Sequence, residues 1–158
     1  MAIIKVPELG LTNGVNTPAF VAYKTSNQSV NNNTTTKITF DSEQLDTDGV
    51  YDTTNSRFTP GLAGYYFIGA FWRYDTGTNF NDAQWILRKN GTTIQSRIGY
   101  NDLALGYHYN FITYANASDY FEMFGLQKSG SSVDVNGNGS YHGNASQGYF
   151  YAYRLIGV

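Results

Sequence analysis

The segment Gly64 to Tyr74, GYYFIGAFWRY, constrains the fold more than any other part of the chain. Its run of aromatic residues predicts a β-strand. Successive side chains of a strand point to opposite faces, so a half-buried strand alternates apolar with polar. This one does not. One face carries Tyr65, Phe67, Gly69 and Phe71, and the other carries Tyr66, Ile68, Ala70, Trp72 and Tyr74. One of these apolar faces can be buried in a sandwich core. The other needs cover from outside that core, either a loop of the same chain or a neighbouring subunit.

The rest of the chain supplies strands for such a core. Seventeen Gly, fourteen Tyr and ten Phe stand against two Met, a bias toward strands and turns rather than helices. From Pro18 onward the strand-like pieces are PAFVAYK, TKITFD, GVYDTTNSRFT, the opening segment, AQWILRK, TTIQSRI, GYHYNFITYA, DYFEMFGLQ and GYFYAYRLIG. Asn90-Gly91 joins AQWILRK to TTIQSRI and is a strong signal for a tight hairpin. DTDG, residues 46 to 49, reads as a turn in which Gly49 takes a positive φ. Eight to ten short strands at this spacing predict an all-β sandwich or jelly roll. A chain of 158 residues suits one such domain, here 18–158. Residues 1–17 form a separate piece, in which Ile3, Ile4, Val6, Leu9, Leu11 and Val15 show no sustained period. Pro7, Gly10 and Gly14 disfavour a helix there, so an extended docking arm is expected. Residues 74–82 and 128–147 read as long loops.

Composition and spacing narrow the chemistry. The formal net charge is −2 and no Lys/Arg run exists to displace counterions from phosphates, so no nucleic-acid partner is expected. The absence of cysteine removes disulfides, thiolate metal sites and a cysteine nucleophile. No apolar run approaches the length of a membrane span, and the first residues lack a signal-peptide run, which predicts synthesis in a cytoplasm. DVNGNG, Asp134 to Gly139, begins like a calcium loop, yet its twelfth position is Ala145 and its flanks read as strand. A glycine-rich surface loop is the better reading, and no metal is expected. His108 and His142 have no companion ligand at metal spacing, and there is no Gly-x-Ser-x-Gly elbow. Neither a catalytic constellation nor a cofactor site emerges. Thr78 and Asn79 in one loop, and Asn136, Asn138, Tyr141 and His142 in the other, are candidate receptor or glycan contacts. Tyr107, Tyr109, Tyr149, Tyr151 and Tyr153 alternate strictly, which favours packing over sugar stacking.

The order of these pieces resembles the globular domain of the complement C1q and tumour-necrosis-factor family. The likeness runs through PAFVAY at 18–23, KITFDSEQLDTDGVYD at 37–52, RFTPGLAGYYFIGAF at 57–71, LRKNGTTI at 87–94 and GYFYAYRLIG at 148–157. It departs at ANASDYFEMF, where Ser118 precedes Asp119 and the family usually has Gly-Asp. The family's metal-binding and receptor-contact residues lie in variable loops and match nothing here. The resemblance implies a ten-stranded jelly roll assembled as a compact homotrimer, with the second face of the 64–74 strand meeting its neighbours. The interface residues expected on that basis are Tyr65, Tyr66, Phe67, Phe71, Trp72, Tyr149, Tyr151 and Tyr153.

A jelly roll of this kind is an interaction scaffold, and its role depends on where it is mounted. Without cysteine or a stalk, the chain is similar to the C1q-like domains of bacteriophage structural proteins, including their closing YRLIG-type strand. The expectation is a non-enzymatic capsid decoration (cement) protein on the virion surface, its arm bound to the major capsid protein or another virion component. A short tail-fibre or head-fibre tip that binds a host receptor or glycan is the second reading. A free lectin-like binding module is the third.

Overall fold

The computed structural model describes residues 16–75, 80–99, 106–137 and 148–156, which form thirteen strands and no helix. In chain order these are β1 (Ala19–Tyr23), β2 (Gln28–Val30), β3 (Thr36–Lys37), β4 (Ser42–Asp46), β5 (Tyr51–Asp52), β6 (Arg57–Phe58) and β7 (Gly64–Arg73). They continue with β8 (Ala83–Lys89), β9 (Thr92–Gly99), β10 (Gly106–Ala115), β11 (Phe121–Gln127), β12 (Val133–Val135) and β13 (Gly148–Arg154). One sheet has the order β10-β7-β13-β1-β4 and the other β5-β6-β11-β8-β9, with β3 also on β11. The first and last strands pair with each other, and β7 lies between β10 and β13, so neighbours in space are remote in sequence. That is the connectivity of a jelly-roll sandwich. The strand count exceeds ten because β2, β3, β5, β6 and β12 are fragments of two or three residues.

Alternation builds the core. Phe20 and Ala22 of β1 point inward opposite Ala152 and Phe150 of β13, so each large ring faces a small partner. Tyr66, Ile68, Ala70 and Trp72 of β7, and Tyr74 just beyond it, are all fully buried. Trp72 packs on Trp85 of β8 at 5.9 Å between ring centroids, and Phe20 stacks on Tyr51 at 4.6 Å. Rings of this size bury large apolar areas, which lets a short chain with narrow strands close one core.

The turns follow their chemistry. Asn90 and Gly91 have φ of 52° and 78°, both left-handed, as a type I′ hairpin requires. Gly49 has a φ of 66°, and the Asp46 carboxylate accepts hydrogen bonds from the backbone N–H groups of Asp48, Val50 and Tyr51. One expectation is corrected. Residues 128–147 are not one uninterrupted loop, because Val133–Val135 forms β12 and pairs with β2 across about a hundred residues of sequence. Buried Val133 and Val135 close the sandwich at that end.

Candidate functional site

Among the described residues, the outer face of the five-stranded sheet carries a run of large apolar side chains that are ill suited to water. It is built from alternate residues of adjacent strands. β7 contributes Tyr65, Phe67, Gly69 and Phe71; β13 contributes Tyr149, Tyr151 and Tyr153; β10 contributes His108, Asn110, Ile112 and Tyr114. Pairing register sets Tyr114 opposite Tyr65, His108 opposite Phe71 and Tyr151 opposite Gly69. The rings pack along the sheet. Tyr65 meets Tyr114 edge-on at 5.4 Å, Phe67 lies 5.3 Å from Tyr153 and 6.3 Å from Tyr151, and Phe71 stacks on His108 at 4.6 Å. Among these three strands, Arg73 at the end of β7 is the one outward residue with a fixed charge.

These contacts leave much of the surface uncovered. Tyr65 is 47% exposed, Tyr114 46%, Ile112 54%, and Leu45 on the edge strand β4, beyond β1, 46%. Soluble monomers seldom display so many large apolar side chains on one contiguous face. At its centre sits a polar pair, in which the Tyr151 hydroxyl donates to Asn110 Oδ1 at 2.7 Å. Packing against its neighbours raises the Tyr151 hydroxyl above its ordinary pKa, burial being the main cause and the Tyr153 hydroxyl adding to it. The phenol therefore stays protonated and remains a donor.

Of the residues expected at a subunit contact, Tyr65, Phe67, Phe71, Tyr149, Tyr151 and Tyr153 lie together on this face. Tyr66 and Trp72 do not. Both are fully buried and point into the subunit's own core, because they occupy the opposite parity of the same strand. Ile112 and Tyr114 complete the face, and the sequence reading missed them. The available signal was that GYHYNFITYA, like the 64–74 segment, has aliphatic or aromatic side chains on both parities.

Asn136 is half-buried, and its N–H donates to the Arg73 carbonyl at 3.0 Å, which ties the segment after β12 to the end of β7. The other loop candidates, Thr78, Asn79, Asn138, Tyr141 and His142, lie outside the described residues, as do Ile3, Ile4, Val6, Leu9, Leu11 and Val15 of the arm. Among the described residues no three His, Cys, Asp or Glu side chains are grouped to hold a metal.

No family model matches the sequence, and no curated protein matches it. Solved structures do. The globular domain of zebrafish complement 1qA protein superposes with a TM-score of 0.60 at 12% identity, covering 87% of this chain and 97% of its own. The Eiger TNF of S. frugiperda gives a TM-score of 0.61 at 9% identity, covering 87% and 91% of the two chains. Murine APRIL at pH 8.5 gives 0.59 at 10% identity, covering 87% and 99%. The chain therefore has a C1q/TNF-like jelly-roll fold.

Proposed function

We propose that the protein is a non-enzymatic homotrimeric interaction module whose subunits meet across the aromatic face of β7, β10 and β13. The observation that carries this reading is that face itself, with Tyr65, Ile112 and Tyr114 about half exposed on a sheet whose other side is a complete core. Subunit contacts that persist are apolar and ring-rich, like a domain core cut in half. The likeness to C1q and tumour-necrosis-factor domains supports three-fold over two-fold closure. Chemical cross-linking of the purified full chain tests the reading. A denaturing-gel ladder that ends at three chains is expected, and one that ends at one or two contradicts it.

Within this reading, the trimer is a bacteriophage capsid decoration protein held on the particle by residues 1–17. Support comes from the arm's composition: six aliphatic side chains too apolar for a solvated tail, interrupted by Pro7, Gly10 and Gly14. Such a segment gains most by lying extended along a partner's groove or sheet edge. Three arms acting together make modest affinity per arm sufficient. Deleting 1–17 should leave a folded trimer that no longer joins the phage particle. Retention at wild-type occupancy would mean that the jelly roll itself makes the attachment.

A further inference from the structure

Antiparallel pairing places Thr17 and Pro18 at one end of the sandwich and the segments following β2 and β11 at the other. The ends are separated by the ten residues of β7, about 33 Å at roughly 3.3 Å per residue. At the end far from Thr17, on the side of the β11-β8 sheet, a cleft of about 440 Å³ is lined by Asn32, Asn33, Asn81, Lys128 and Gly130. No apolar side chain lines it. We propose that this cleft binds a neutral carbohydrate, taking one or two sugar rings through its asparagine amides.

Its frame is built from within. Gln127, fully buried, donates through Nε2 to the carbonyls of Val30 at 2.9 Å and Ser131 at 2.7 Å, and accepts at Oε1 from the Ser129 N–H at 2.8 Å. The Asn33 N–H donates to the Gln127 carbonyl at 2.8 Å, the Asn81 N–H to the Lys128 carbonyl at 3.1 Å, and the Gly130 N–H to Asn32 Oδ1 at 2.9 Å. The buried Gln127 amide ties the 30–33 stretch to the 127–131 turn, and the Lys128 carbonyl holds Asn81 beside them, which positions the cleft walls before any ligand arrives. Asn33 is held at a φ of 54°, a left-handed conformation that asparagine tolerates better than most residues.

The groups on offer define the ligand. Asn33 and Asn81 are exposed, and their side-chain amides make no hydrogen bond among the described residues. Each presents two donors and an acceptor, the complement of a ligand whose hydroxyls both give and receive hydrogen bonds. Lys128 Nζ lies 2.7 Å from Asp82 Oδ2, so its charge is already answered. An anionic ligand would have to compete with that carboxylate, whereas a neutral one would not. The cleft is shallow and open to solvent, and its lining is polar apart from the stem of Lys128, which suits a weakly held, hydrated ligand. Because the cleft lies off the aromatic face, it stays open when that face is covered. Binding by one chain therefore does not depend on the trimer reading, although three clefts on one trimer would raise avidity for a repeating glycan.

Titrating the ¹⁵N-labelled full chain separately with lactose, maltose and N,N′-diacetylchitobiose tests the assignment, with 3′-sialyllactose as the anionic comparison. At millimolar sugar, at least one neutral disaccharide is expected to shift the side-chain amides of Asn33 and Asn81 and the backbone amide of Gly130. The double variant Asn33→Gly/Asn81→Ser should weaken that binding by about tenfold or more, since several hydrogen bonds are lost at once. Glycine keeps the left-handed backbone at position 33, and Asn81→Ser alone serves as the folded control if the double variant melts early. The proposal is overturned if none of the three neutral sugars moves those resonances. It is equally overturned if binding survives both variants, or if only the sialylated sugar binds.

Discussion

At Gly69 the missing side chain is what lets Tyr151 lie over β7 and reach Asn110. A Cβ built there would overlap the Tyr151 ring and hydroxyl and lie 2.7 Å from Asn110 Oδ1. The Tyr151 ring is on the outer surface and can swing away, so Gly69→Val should leave the subunit folded. Its melting temperature should move by only a few degrees, roughly the effect of 1 kcal/mol on a domain of this size. Self-association should nevertheless weaken by at least about tenfold, because the displaced ring breaks the flat contact surface. Circular dichroism and sedimentation velocity on the same sample separate the two effects. Asp119 acts on the subunit alone. Its carboxylate accepts from the Asn116 N–H at 2.7 Å and from Asn90 Nδ2 at 2.7 Å, and pairs with Lys89 Nζ at 2.8 Å. This carboxylate closes the turn at ANASD. The Lys89 contact first, then the hydrogen bonds from Asn90 and Asn116, lower its pKa from 3.8 to about 2. The unfolded chain therefore takes up the proton before the folded one as the solution is acidified. Asp119 accordingly contributes stability above pH 4 that fades as the pH falls toward 2. Asp119→Ala should cost about 2 kcal/mol near neutrality, as expected for lost charge-assisted hydrogen bonds. The gap in melting temperature from wild type should narrow between pH 4 and 2; a constant gap would count against the assignment.

The two parities of β7 face different surroundings, core and surface, and should respond differently to the same substitution. Trp72→Asp places an unpaired charge among Trp85, Phe40 and the rest of the core, and should destabilise the subunit by about 4 kcal/mol or more. Phe71→Asp lands on the outer face beside His108 and Tyr149, and should give a folded chain that no longer self-associates. Thermal melts with sedimentation velocity would read both, and equal loss of folding in the two variants would contradict the division of faces. How much of this was legible in the sequence depends on how local the signal is. β8 and β10 match the segments read from AQWILRK and GYHYNFITYA, because enrichment in aromatic and β-branched residues and the Asn-Gly hairpin are local signals. The two apolar faces of 64–74 were equally visible. Which parity faced inward was not, since both are aromatic and the choice is made by β10 and β13, strands far along the chain. β12 was missed for a related reason: three residues in a glycine- and serine-rich stretch carry no period, and their pairing to β2 is wholly non-local. The amide cleft was hidden in the same way, because Asn32, Asn33, Asn81 and Lys128 converge only once Gln127 is buried.

Three surfaces of the whole molecule have separate positions. Residues 1–17 join the sandwich at Pro18, the amide cleft lies at the opposite end of the strands, and the aromatic face runs along the five-stranded sheet. A particle-bound trimer with its arms on the capsid would therefore display its clefts outward. All of this rests on the aromatic face being a contact between copies. Sedimentation equilibrium of the 158-residue chain at micromolar concentration decides this. A single species of three times the 17.6 kDa chain mass is expected, and one that stays at 17.6 kDa would rule the contact out.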